Sequence, residues 1–198
     1  MPSMDALDFL RVRYAQFHRP MWDELTTGLS ERELRGRPHP RANSIVWLVW
    51  HIARVEDIGV NRFVVDGRQV MDKGDWAARM SVTRRDVGTG MTDAEVDALS
   101  AAIDLGALRG YWDAVIDGTL AIVDTLAGQD LDAIVPADRV KRVANEEGGV
   151  AKGAEWLTEF WAKGRTRAWV LAQTPFLHPY GHYFEARAVR GMWGHPSL

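Results

Sequence analysis

The chain has no cysteine. That absence removes disulfides, CxxC zinc sites, iron–sulfur ligation and every thiol nucleophile, so any bound metal must rely on histidines and carboxylates. No window approaches about 18 uninterrupted apolar residues. Met1-Pro2-Ser3-Met4-Asp5 runs into a charged amphipathic stretch and not into an apolar signal core. Membrane insertion is therefore not expected, and a cytoplasmic location is the default. A long Lys/Arg run is also missing. With a net charge of −3 and a pI near 6.1, nothing draws the chain toward phosphate backbones, and nucleic acid is not expected as a partner. There is no internal repeat, no low-complexity segment and no credible run of strands.

What is present suits one hydrophobic core. The 198 residues are 46% hydrophobic and 26% charged, which argues against disorder and points to a single domain over 1–198. The nine tryptophans suggest thick packing between helices or a surface kept for association.

Leu7, Leu10, Tyr14, Phe17, Met21 and Leu25 recur at helical spacing and predict a helix over 4–28 with Ser3 as N-cap. Ser30 and Glu33 have capping-box spacing ahead of the proline loop 36–40. Asn43-Ser44 can cap a second long helix over 45–65, ended by Asp66-Gly67. From 66 to 90 no period survives, which reads as a long excursion. Thr92 and Glu95 start a short helix to about residue 101, and Leu108, Trp112, Val115, Thr119, Ile122 and Leu126 mark a third long one closed by Gly128. Residues 129–149 read as loop and 150–172 as helix. Thr174-Pro175 is the expected cap and first turn of a last helix to Arg190, stopped at Gly191. The predicted fold is all-α, an antiparallel four-helix bundle with extra short helices and long loops, whose functional groups project inward.

His178 and His182 stand four apart, so on a helix they share one face and can share a metal. HxxxH alone is a weak signal, equally served by capping or surface histidines, and it lacks the Glu of the HExxH motif. His51 lies inside an almost wholly apolar run and is expected to face inward. There it needs a polar partner, which a core hydrogen bond would supply as well as a metal. Taken together, three neutral imidazoles from two helices leave one coordination position open, the arrangement of a catalytic metal site. Imidazole suits Zn²⁺ first, with Ni²⁺ or Fe²⁺ as alternatives.

The block Ser44-Ile45-Val46-Trp47-Leu48-Val49-Trp50-His51-Ile52-Ala53-Arg54-Val55-Glu56-Asp57, followed later by His178-x-x-x-His182-x-x-Glu185, resembles the DinB/YfiT-like superfamily of metal-binding proteins. The resemblance covers most of the chain and is absent over 66–90. It implies a four-helix bundle, often a homodimer, with His51, His178 and His182 on a divalent metal. It further implies that a small-molecule substrate is handled with a low-molecular-weight thiol, as in mycothiol-dependent isomerases and bacillithiol S-transferases. Many relatives have no assigned reaction.

One departure lies inside the histidine pair. Pro179 removes a helical hydrogen bond, so the last helix is expected to start near His178, and Gly181 loosens the backbone further. Glu185 is a candidate general base, metal ligand or acceptor of an imidazole N–H, with an arginine salt bridge as the plain alternative. Arg54 either pairs with Glu56, Asp57 or Glu185 or holds an anionic substrate. Trp47 and Tyr180 are candidate cofactor contacts, though aromatic residues at helical spacing also serve as core. His18, His39 and His195 receive no role. The competing functions are a metal-dependent thiol transferase or isomerase, a metal-dependent hydrolase, a non-catalytic dimeric binder, and a metal-free bundle in which the histidines satisfy one another.

Overall fold

Caps and apolar periodicity set most helix boundaries in the computed structural model, which describes residues 5–195. Helix α1 (Ala6–Thr26) starts at Asp5, whose carboxylate accepts from the Asp8 N–H; the expected cap, Ser3, lies outside the described residues. Its inward face carries Tyr14, His18, Met21 and Leu25. Helix α2 (Glu31–Arg35) begins at the predicted capping box of Ser30 and Glu33. Ser44 caps α3 (Ile45–Asp57), and every residue of α3 is buried. A helix buried on all sides lies at the centre of the molecule, and its polar residues His51, Arg54, Glu56 and Asp57 must find partners there.

The helix predicted over 45–65 is continuous, but its last part, Ile58–Val64, is wound as a π-helix. The excursion at 66–90 holds two single turns, α4 (Val70–Lys73) and α5 (Trp76–Arg79), too short to show a period. It is tied to α3 by a buried ion pair. Asp57 accepts the Val70 and Met71 N–H groups at 2.8 and 2.9 Å. Arg54 reaches Asp57 at 3.2 Å, the Tyr111 hydroxyl and the Gln69 amide oxygen at 3.0 Å each, and the Arg85 carbonyl.

Helix α6 (Asp93–Ala102) follows the Thr92/Glu95 capping box, and α7 (Leu105–Thr125) is capped by Asp104. Gly128 then takes a left-handed φ of +75°, as its position after a helix requires. The loop expected at 129–149 contains α8 (Ala137–Lys141) and a π turn, Arg142–Glu146. Pro136 starts α8 there and does not break a helix, since its missing N–H falls before the first turn.

Two boundaries near the C-terminus differ from the sequence reading. The helix expected over 150–172 is split into α9 (Glu155–Trp161) and α10 (Arg167–Ala172). Gly164 turns the chain with φ +65°. Residues 165–167 then exchange backbone hydrogen bonds with 133–135 at 2.8 and 3.0 Å. Conversely, no new helix starts at Thr174-Pro175. Thr174 donates its hydroxyl to the Val170 carbonyl at 3.0 Å. The helix runs on through a π segment, Gln173–Leu177, into α11 (His178–Met192). Pro175 lies inside this π segment, so the proline does not end the helix.

The long helices contact one another in a ring, α1 with α7, α7 with α3, α3 with α11 and α11 with α1. The fold is an all-α bundle, and among the described residues β pairing is limited to one isolated bridge, Ile134 with Thr166. No helix among them is long and apolar enough to cross a membrane.

Candidate metal centre

His51 comes from the middle of α3, and His178 and His182 from the first turns of α11. Their ring centroids form a nearly equilateral triangle, with separations of 4.8, 4.8 and 4.5 Å. One ligand atom from each lies within 4.8 Å of the others. No helix starts at His178, contrary to expectation; the helix is continuous and only its winding changes there from π to α. The π turn shapes the approach, because the His178 N–H bonds back to the Gln173 carbonyl. That turn carries one residue more than an α turn, which rotates the residues after it by about 100° relative to an uninterrupted helix.

The environment fixes which nitrogens face inward. His51 Nδ1 contacts the Val87 carbonyl, and a carbonyl can only accept, so Nδ1 carries the proton and Nε2 a lone pair. His182 Nδ1 lies 2.7 Å from Glu185 Oε2, which places its proton there by the same reasoning. His178 Nε2 sits 3.0 Å from His51 Nε2, and its Nδ1 is buried without a partner. The free Nε2 of His51 and the imidazoles of His178 and His182 thus come together, a donor set that suits a borderline divalent cation such as Zn²⁺.

Burial, reinforced by the nearby His182 imidazole, lowers the His51 pKa to about 3. Burial, followed by His51 and His182, holds His178 well below the usual range. Both imidazoles are therefore neutral near pH 7, the protonation state that ligation needs. Burial acts to raise Glu185, but its hydrogen bonds to His182 and Asn43 prevail and hold its carboxyl below the usual value.

Of the other residues singled out from sequence, Trp47 belongs to the site. Its ring stacks on His51 at 4.6 Å and 12°. Glu185 has both oxygens engaged, one by His182 and the other by the Asn43 amide at 2.9 Å. It stands behind His182 and off the cavity wall. Arg54 does not reach the cavity, since its guanidinium is spent on Asp57 and the 66–85 segment. Tyr180 is two residues beyond His178 and so lies on the far side of α11, where it stacks on Phe17 at 3.9 Å.

Several contributors were not singled out from sequence. Val87 supplies the acceptor for His51, and Gly88 makes its turn possible with φ +83°. A Cβ at Gly88 would lie 2.6 Å from the Trp50 ring. The Asp86-Val87-Gly88 triplet is a turn signal, but nothing in it names histidine as the partner. Above the histidines opens a cavity of about 500 Å³, walled by Trp47, by Met91 and by Leu157, Phe160 and Trp161 of α9. His18, given no role, is buried and stacked on Tyr14 at 4.0 Å. It stands 3.4 Å from Glu56, which also accepts from Tyr14 and from Thr119 at 2.6 Å.

An all-α bundle with three imidazoles converging below a cavity defines a class of helical protein fitted to hold a divalent metal. Residues 14–163 match the family model of the DinB superfamily, and the chain belongs to that superfamily. The match includes His51 and ends before His178 and His182. Among solved structures, a conserved protein from Enterococcus faecalis is similar in fold, with a TM-score of 0.71 and 16% identity over 96% of this chain and 98% of that one. No curated protein matches the chain.

Proposed function

We propose that this chain is a divalent-metal-dependent enzyme that acts on a small molecule bound in the cavity, with His51, His178 and His182 holding the metal. The observation that carries the reading is the convergence of three imidazoles at the floor of that cavity, with the free Nε2 of His51 turned inward by the Val87 carbonyl. A bound cation would supply Lewis acidity, lowering the pKa of a water or thiol that shares the site. The protein's own work is positioning. The Val87 carbonyl and the Trp47 ring set His51, while the Glu185 carboxylate holds the His182 Nδ1 proton and raises the basicity of Nε2. We assign Glu185 to that positioning role.

Thiol S-transfer or isomerisation is the reaction class we favour; the lack of cysteine is compatible with a thiol taken from outside, as it is with hydrolysis by metal-bound water. Hydrolysis, or binding without turnover, are the competing outcomes. Untagged protein, loaded with Zn²⁺ and analysed for metal, should hold about one ion per chain, and His51→Ala should abolish it. Absence of any uptake ends the proposal. Thiol-transfer assays on the loaded protein with several thiols and electrophiles then separate catalysis from binding. We also propose a homodimer, supported by the exposed Phe9, Leu177 and Phe184; a monomeric mass in light scattering rejects it.

A further inference from the structure

The cavity above the histidines has walls that are largely apolar and carry no charge. Trp47 of α3 and Trp156, Phe160 and Trp161 of α9 present aromatic rings. Its polar groups beyond the histidines are neutral, chiefly the amides of Asn43 and Gln173. Among the described residues that line it there is no Lys, Arg, Asp or Glu. The charged groups nearby are already paired elsewhere: Glu185 to His182 and Asn43, Arg54 to Asp57, Asp86 to Arg84. A carboxylate or ammonium on the part of a ligand that lies against this wall, away from the metal, would lose water there without gaining an ion partner among the lining residues.

Trp156 adds a second observation. It is 61% exposed at the cavity wall, while Trp161 on the same short helix is 5% exposed. A large apolar ring left in water at the mouth of an aromatic cavity gains by being covered. The volume of about 500 Å³ is that of a small-molecule site.

We infer that the cavity selects a small molecule whose tail is uncharged and largely apolar and which presents one metal-ligating donor to the three histidines. This rests on the proposed metal centre and specifies its substrate class. Thiols or electrophiles whose tails carry carboxylates are poor fits to such a wall.

Co²⁺-loaded protein allows the two readings to be separated. Imidazole, 1-benzylimidazole and 4-(imidazol-1-ylmethyl)benzoate present the same donor with no tail, a neutral aromatic tail and an anionic aromatic tail. Their binding is followed by the visible cobalt spectrum and by tryptophan quenching. The neutral benzyl compound is expected to bind at least about tenfold tighter than either of the others, the gain of burying one ring. Trp156→Ala should remove much of that gain while leaving the cobalt spectrum and the affinity for imidazole unchanged. Equal or tighter binding of the carboxylate, or an unchanged benzyl preference in Trp156→Ala, overturns the inference while the metal centre stands. Protein that takes up no cobalt overturns the metal centre instead. Calorimetry of metal-free protein with benzyl alcohol against benzoate then tests the wall alone, and benzoate binding as tightly as the alcohol refutes it.

Discussion

The imidazole of His51 donates its Nδ1 proton to the backbone carbonyl of Val87, 36 residues away, and that bond turns Nε2 toward His178. The excursion at 66–90 is thereby part of the metal centre, although it contributes no ligand. Gly88 shapes the turn, and a side chain there would meet both a left-handed φ and the Trp50 ring. Gly88→Ala should therefore weaken Zn²⁺ binding about 10- to 100-fold, the usual effect of disturbing a group that orients a ligand. Competition with a chelator measures it. Affinity within about twofold of the parent protein, far short of that usual effect, would show that the carbonyl does not set His51.

The Glu185 carboxylate is held at 2.7 Å from His182 and at 2.9 Å from Asn43. Replacing it with glutamine keeps the shape and removes the charge. Glu185→Gln should lower Zn²⁺ affinity by about tenfold and Glu185→Ala by more, with helix content unchanged in circular dichroism. If instead metal affinity holds and turnover alone is lost, Glu185 acts on substrate and the positioning role is wrong.

Asp57 is fully buried and accepts from Arg54, Asn61, Tyr111 and two backbone N–H groups. Asp57→Ala leaves the Arg54 charge buried and unpaired, and urea unfolding should show a loss of about 3–5 kcal/mol. Asp117→Ala, which breaks the exposed pair with Arg19 at 2.9 Å, should change stability by less than about 1 kcal/mol. Similar losses for the two variants would contradict this account of the clasp.

Two capping boxes make the fold sensitive to acid. The Ser30 hydroxyl and N–H lower Glu33 from 4.5 to about 2. The Thr92 N–H and Arg84 do the same for Glu95. Because the folded-state values lie below the unfolded ones, the stability they contribute is present above pH 4.5 and is lost as pH falls through about 2. The urea midpoint of the Glu33→Gln/Glu95→Gln double variant should fall less steeply than that of the parent across this window. Parallel slopes would rule out the two boxes as its source.

The long helices were legible because α1, α3 and α7 carry apolar residues at helical spacing, and for α3 because Ser44 also marks its start; the caps Asp5 of α1 and Asp104 of α7 were not read. His51 was legible because a histidine inside a buried run needs a reason to be there. The 66–90 segment was opaque because it is held by Arg54 and Asp57 at a distance and not by its own periodicity. Thr174-Pro175 misled because local proline rules assume α geometry, whereas the π turn at Gln173–Leu177 follows another hydrogen-bond ladder. The Val87 carbonyl is backbone, so no side-chain pattern could point to it.

The surplus residue in that π turn acts as a phase setting for the whole C-terminal half of the centre. Every residue from His178 onward inherits its angular position from the count of residues between Arg167 and Leu177. A homologous chain shortened by one residue there would still align His51, HxxxH and Glu185 letter for letter, yet it would turn both later imidazoles away from His51. In this chain, keeping the three ligand residues therefore does not by itself keep the site; the length of the segment leading into them has to be kept as well.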